Sequence, residues 1–91
     1  MENLNELKEI ITERGLTSIV LEKPDYVTAI IGITDEGNIV YNYDDMVDFL
    51  MENDKMSEEE AMDFISYNTI RAIPYMNVEG AAKPIIVYPV E

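Results

Sequence analysis

The chain contains no cysteine and no histidine. Zinc sites built from those side chains, Ser-His-Asp triads, cysteine nucleophiles and imidazole acid–base catalysis therefore have no residues to work with. A disulfide framework is equally excluded, and with nothing arguing for export the expected location is the cytoplasm. Glycine is scarce: Gly15, Gly32, Gly37 and Gly80 form neither a phosphate loop nor a dinucleotide fingerprint. Bases are scarce too, six Lys and Arg against nineteen Asp and Glu, which leaves a formal charge of −13. Such a surface repels phosphate backbones and anionic lipid, so neither nucleic acid nor membrane is expected as a direct partner. No apolar run approaches the roughly 18 residues of a membrane span. The first ten residues, MENLNELKEI, are acidic and helical in pattern, unlike a signal or transit peptide.

What is present is ordinary globular material. Ninety-one residues, 47% of them hydrophobic and 27% charged, fit a single domain, residues 1–91, near the small end of what one core supports. Leu4, Leu7, Ile10 and Ile11 recur at helical spacing over residues 3–14, and Gly15 suits the left-handed position that closes a helix. Ser18–Leu21 reads as a short strand, followed by turn chemistry at Glu22–Asp25. Tyr26–Thr34 reads as a longer strand, with Val27, Ala29, Ile31 and Ile33 on one face and Tyr26, Thr28, Ile30, Gly32 and Thr34 on the other. Asp35–Asn38 makes a hairpin with Gly37 at positive φ, and Ile39–Asn42 returns as a third strand.

A helix then starts near Tyr43 or Asp44, with Asp44 or Asp45 as its cap and Met46, Val47, Phe49 and Leu50 as its apolar face. Ser57 with Glu60 three residues on is a capping-box pattern, so a second helix begins there. It buries Ala61, Met62, Phe64, Ile65, Thr69 and Ala72 and stops by Ile73, ahead of Pro74. Pro84–Tyr88 is a short last strand at a sheet edge, where an initial proline is tolerated. The expected class is α+β in the order α-β-β-β-α-α-β: a small antiparallel sheet, a three-stranded meander plus a C-terminal strand, with helices on one face.

Charge is distributed unevenly. Residues 35–63 carry eleven of the nineteen acids and a single base, Lys55. Asp44, Asp48 and Glu52 are four apart and share a helix face; Asp45 flanks them, and Glu59 and Asp63 repeat the spacing on the next helix. First-turn acids are explained by the helix dipole. Asp48, Glu52 and Asp63 are not, because like charges at that spacing oppose the helix; a binding role or solubility would serve equally as the reason for them. Carboxylates alone could serve glycosidic hydrolysis or hold a hard metal ion, but no substrate-binding aromatic row accompanies them, and Asn53–Ser57 lacks the glycine and ligand spacing of an EF-hand. No cofactor, metal site or catalytic residue is assigned.

The least generic stretch is YNTIRAIPY, Tyr67–Tyr75. Asn68 and Thr69 are weak helix formers deep in a helix. Arg71 fits a helix C-terminus and an ion pair with a nearby acid. In a recognition role, Tyr67, Asn68, Arg71 and Tyr75 form a polar spot that Tyr41 and Tyr43 extend, since Tyr and Arg are favoured interface anchors.

The run from Gly32 to Tyr75 resembles a family of short acidic proteins predicted from gut Firmicutes genomes and their mobile elements, prophage or conjugative. The likeness spans roughly Ile30–Tyr88 and rests on Tyr41-Asn42-Tyr43-Asp44, Met56-Ser57-Glu58-Glu59 and Asn68-Thr69-Ile70-Arg71-Ala72. That family has no assigned activity, so the resemblance implies a setting and supplies no site residues. The expectation is a non-enzymatic binding protein. It offers Asp44, Asp45, Asp48, Glu52, Glu59, Asp63, Tyr67 and Arg71 to a basic protein surface, such as that of a nucleic-acid-binding defence protein. The alternative is a homo-oligomeric structural or regulatory protein that associates through an apolar sheet face or edge supplied by Tyr26, Ile30, Tyr41 and Tyr88.

Overall fold

The structure is a computed structural model that describes residues 3–90. It is α+β. Helix α1 spans Leu4–Glu13, strands β1 and β2 span Ile30–Ile33 and Ile39–Asn42, helices α2 and α3 span Tyr43–Asn53 and Glu58–Phe64, and strand β3 spans Ile85–Val87.

Local chemistry sets most of these boundaries. Asn3 caps α1 by accepting from the Glu6 amide at 3.1 Å. At the other end Gly15, at φ +68°, donates to the Thr12 carbonyl while Leu16 donates to that of Ile11, the paired bonds of a Schellman close. Gly37, at φ +96°, turns the β1–β2 hairpin, and a β-carbon there would come within 3.2 Å of the Ser18 hydroxyl. The cap of α2 is Asn42, whose side chain accepts from the Asp45 amide at 3.1 Å; neither Asp44 nor Asp45 caps it, because the helix starts one residue earlier. Ser57 and Glu60 exchange side-chain-to-backbone bonds of 3.1 and 2.9 Å, which completes the capping box of α3. Ser57→Ala is therefore expected to cost about 1 kcal/mol, read as a drop in the urea midpoint at unchanged slope.

The sheet departs from the expected meander. Its order is β1-β2-β3; β1 runs antiparallel to β2, but β3 runs parallel to it, so the sheet is mixed. Ser18–Leu21 is no strand. It makes one bridge, Ser18 with Ala82, after which the Leu21 amide donates to the Tyr41 hydroxyl and not to a neighbouring backbone. The long strand expected at Tyr26–Thr34 is shortened at its start. Asp25 accepts from the Val27 amide at 3.1 Å, Tyr26 sits at φ +47°, and Val27–Ala29 is a 3-10 turn. A bulge between Ile30 and Gly32 then breaks the two-residue alternation, leaving Ile31 58% exposed.

Those irregularities send Tyr26 into the core. It and Tyr41 are fully buried, their rings edge-on at 6.5 Å, with Phe49 tilted against Tyr26 at 5.7 Å. Leu7, Ile39, Met46, Leu50, Ala61 and Ile65 complete the packing. Helix α2 lies against β2 and the 3-10 turn, and α3 lies against α2. The helix expected to reach Ile73 changes pitch: Ile65–Ile70 is a π-helical turn, in which the Arg71 amide donates to the Ser66 carbonyl five residues back.

Candidate protein-binding face

The turn between α2 and α3 determines how their acids are presented. Lys55, at φ +56°, takes the left-handed position, and the Asp54 and Met56 amides both return to the Leu50 carbonyl. The two helices then pack side by side, and a groove of about 510 Å³ runs along them, lined by Tyr43, Asp44, Val47, Asp48, Glu58 and Met62. Asp44, Asp48 and Glu58 thus share one surface despite coming from two helices. Asp63 borders it: its charge, after burial and after Tyr88 and Asp44, helps to raise the pKa of the Tyr43 hydroxyl. The Tyr43 ring lies 4.7 Å from that of Tyr88, just beyond β3, and so forms an aromatic wall.

The other expected site residues are placed less centrally. Glu52 is exposed one turn beyond Asp48, and Glu59 is exposed beside Glu58, but neither lines the groove; Asp45 is half-buried and does not line it either. Asp63 also lines a shallow hollow with Tyr67 and Asn68 on the adjoining face of α3 and its π turn. There Tyr67 is 64% exposed and the Arg71 guanidinium lies over its ring, 5.3 Å from the centroid. Arg71 is held by stacking and not by the expected ion pair; among the described residues the one salt bridge is Lys8–Glu22, on the surface. Tyr41 does not extend the polar spot. Its ring fills the core, and its hydroxyl accepts from Leu21.

Val47, Glu58 and Met62 line the groove outside the expected set, and Tyr88 stands beside it against Tyr43. Met62 is 43% exposed because α3 rests on α2 through Ala61 and Ile65 on a narrower stripe than its apolar content suggests. Glu58 is a first-turn acid with an ordinary dipole explanation, and Tyr88 reaches Tyr43 only because β3 pairs parallel with β2. Among the described residues no three acids gather closely enough to hold a metal ion, and no helix is long and apolar enough to cross a membrane. Comparison with known proteins adds no relative: no family model, curated protein or solved structure matches the chain.

The core tyrosines carry a pH dependence. Burial pushes the Tyr41 hydroxyl up to about 12, against the lowering effect of the Leu21 amide and with a smaller raising effect of Asp25. Tyr26 is raised by burial first; the Thr69 hydrogen bond opposes this and Asp54 adds to it. A raised pKa means that the folded state holds its proton longer than the unfolded chain. Stability is thus complete below the ordinary value of 10.0 and is lost as the pH rises through about 12. Tyr41 alone contributes a slope of about 1.4 kcal/mol per pH unit in that window. Circular dichroism and tyrosinate absorbance followed together should show buried-tyrosine ionisation and unfolding as one transition there. Ionisation of all six tyrosines with the fold intact would contradict the burial of Tyr26 and Tyr41.

Proposed function

We propose that this chain is a non-enzymatic binding protein that docks its acidic α2–α3 face on a basic protein surface. The supporting observation is the groove beside Tyr43: Asp44, Asp48 and Glu58 line it, and no lysine or arginine pairs with them among the described residues. Charges left unpaired on one continuous surface raise the local concentration of a cationic partner and steer its approach. The Tyr43–Tyr88 pair and Met62 supply the apolar contact that charge alone does not give. The resemblance to short acidic proteins of mobile elements favours, as partner, a nucleic-acid-binding defence protein met inside the cell, whose basic surface ordinarily receives phosphates. Titration calorimetry against such a protein should show affinity falling steeply between about 50 and about 300 mM salt. Affinity that stays flat over that range counts against a charge-led interface.

Self-association is a second reading, favoured by a different surface. Tyr26 and Tyr41 are core residues and offer no sheet face to a second copy. On the outer side of β1, however, Ile10, Ile31 and Gly32 line a hollow of about 320 Å³ with Arg14 and no carboxylate. Sedimentation equilibrium decides between the readings, because a monomer at high micromolar concentration removes the second.

A further inference from the structure

Away from the acidic face, a cleft of about 310 Å³ opens between residues 19–24 and the π turn. Its size is at the lower end of small-molecule sites. We propose that this cleft binds a small uncharged amide carrying a branched aliphatic group, the Thr69 hydroxyl, backed by that of Tyr26, meeting its carbonyl. The inference is independent of the docking role.

Tyr26 and Thr69 both line the cleft, and their hydroxyl oxygens lie 3.1 Å apart. Tyr26 is fully buried and Thr69 is 4% exposed. Two hydroxyls carry two hydrogens, and their mutual bond uses one. The other has no acceptor among the described residues, and because Tyr26 has no exposed surface it is through Thr69, which keeps a little, that the pair meets an occupant. A ligand carbonyl supplies that acceptor. Along the facing wall the backbone groups of Val20 and Glu22 make no hydrogen bond to the rest of the protein among the described residues, so an amide N–H also finds an acceptor. Leu21, Pro24 and Met76 give the apolar lining for the aliphatic part. Glu22, paired with Lys8, and Lys23 are both exposed, so no buried charge is there to recognise an ion, which favours a neutral occupant.

Two departures from regular backbone converge on this oxygen pair. Tyr26 holds a left-handed φ of +47°, and Thr69 belongs to the π turn Ile65–Ile70. Both features carry a conformational cost, and both recur at functional sites.

The test is a ¹⁵N–¹H titration of the full chain with N-acetyl-leucine methylamide, and with N-acetylleucinate as the charged counterpart. The neutral probe should give saturable shifts confined to residues 20–26, 68–70 and 76, and the anion should bind more weakly. Thr69→Val, which keeps the shape and removes the hydroxyl, should weaken the neutral probe about tenfold, and Thr69→Ser should restore it. Absence of saturable shifts, shifts centred on the α2–α3 groove, or a Thr69→Val variant that binds as well as the parent would each overturn the proposal. Should Thr69→Val fail to fold, the shift map of the parent protein decides alone.

Discussion

Tyr26→Ala is expected to remove about 3–5 kcal/mol of stability, the largest loss of any single substitution in this chain. The side chain is fully buried, touches the Tyr41 and Phe49 rings, and bonds Thr69 through its hydroxyl. Truncating a buried aromatic costs about 3–5 kcal/mol, and a domain of this length has only about 5–14 kcal/mol to lose. Removal of Tyr26 also unties the 3-10 turn from the π turn, since the Tyr26–Thr69 bond links residues 43 apart in sequence. Tyr26→Phe keeps the rings packed and should cost about 1 kcal/mol, the net worth of one hydrogen bond. Urea unfolding of both variants separates packing from polarity. A Tyr26→Ala variant within about 1 kcal/mol of the parent would contradict the placement of this ring in the core.

Neutralising Asp48, Glu52 and Asp63 together, as Asp48→Asn, Glu52→Gln and Asp63→Asn, should move stability and binding in opposite directions. In the free protein these carboxylates repel neighbours four residues away: Asp44 with Asp48, Asp48 with Glu52, and Glu59 with Asp63. Each such pair costs about 0.2–0.5 kcal/mol, so the triple variant should be more stable by about 0.5–1.5 kcal/mol. All three are exposed and without an ion pair among the described residues, so no favourable contact is lost with the charge. Association with a basic partner should slow by about 10-fold or more, because steering scales with the charge removed. A surface that is acidic for solubility alone would show the stability gain without the loss of binding.

The helices and their caps were legible because the signals are local. Gly15, Gly37 and the Ser57–Glu60 pair act within a few residues of themselves and did what their types imply. Asn42 was missed as a cap only because the adjacent Asp44 and Asp45 are equally good candidates. The sheet was harder to read, for a physical reason. Alternation along Tyr26–Thr34 looks like one strand, yet the left-handed Tyr26 and the bulge at Ile31 are fixed by where a large ring can be buried, which is a tertiary matter. The parallel pairing of β3 with β2 joins segments more than forty residues apart and leaves no local trace.

Much the same division holds for the acidic face. The four-residue spacing of Asp44 and Asp48 placed them on one helix side, as found. That Glu58 and Met62 would face them across a groove depended on the Lys55 turn, in which a lysine fills a position usually given to glycine. Tyr41 and Tyr43, two residues apart, would share a face if the strand ran on, but the chain turns into α2 at Tyr43, which leaves Tyr41 in the core and Tyr43 beside the groove.

The most direct measurement is a side-by-side capture from host lysate on the immobilised parent protein and on the Asp48→Asn, Glu52→Gln, Asp63→Asn variant, quantified at about 50 and about 300 mM salt. If the acidic face is the docking surface, a basic protein is held by the parent at low salt, released at the higher salt, and absent from the variant. The same proteins retained equally by both, at either salt, would contradict it.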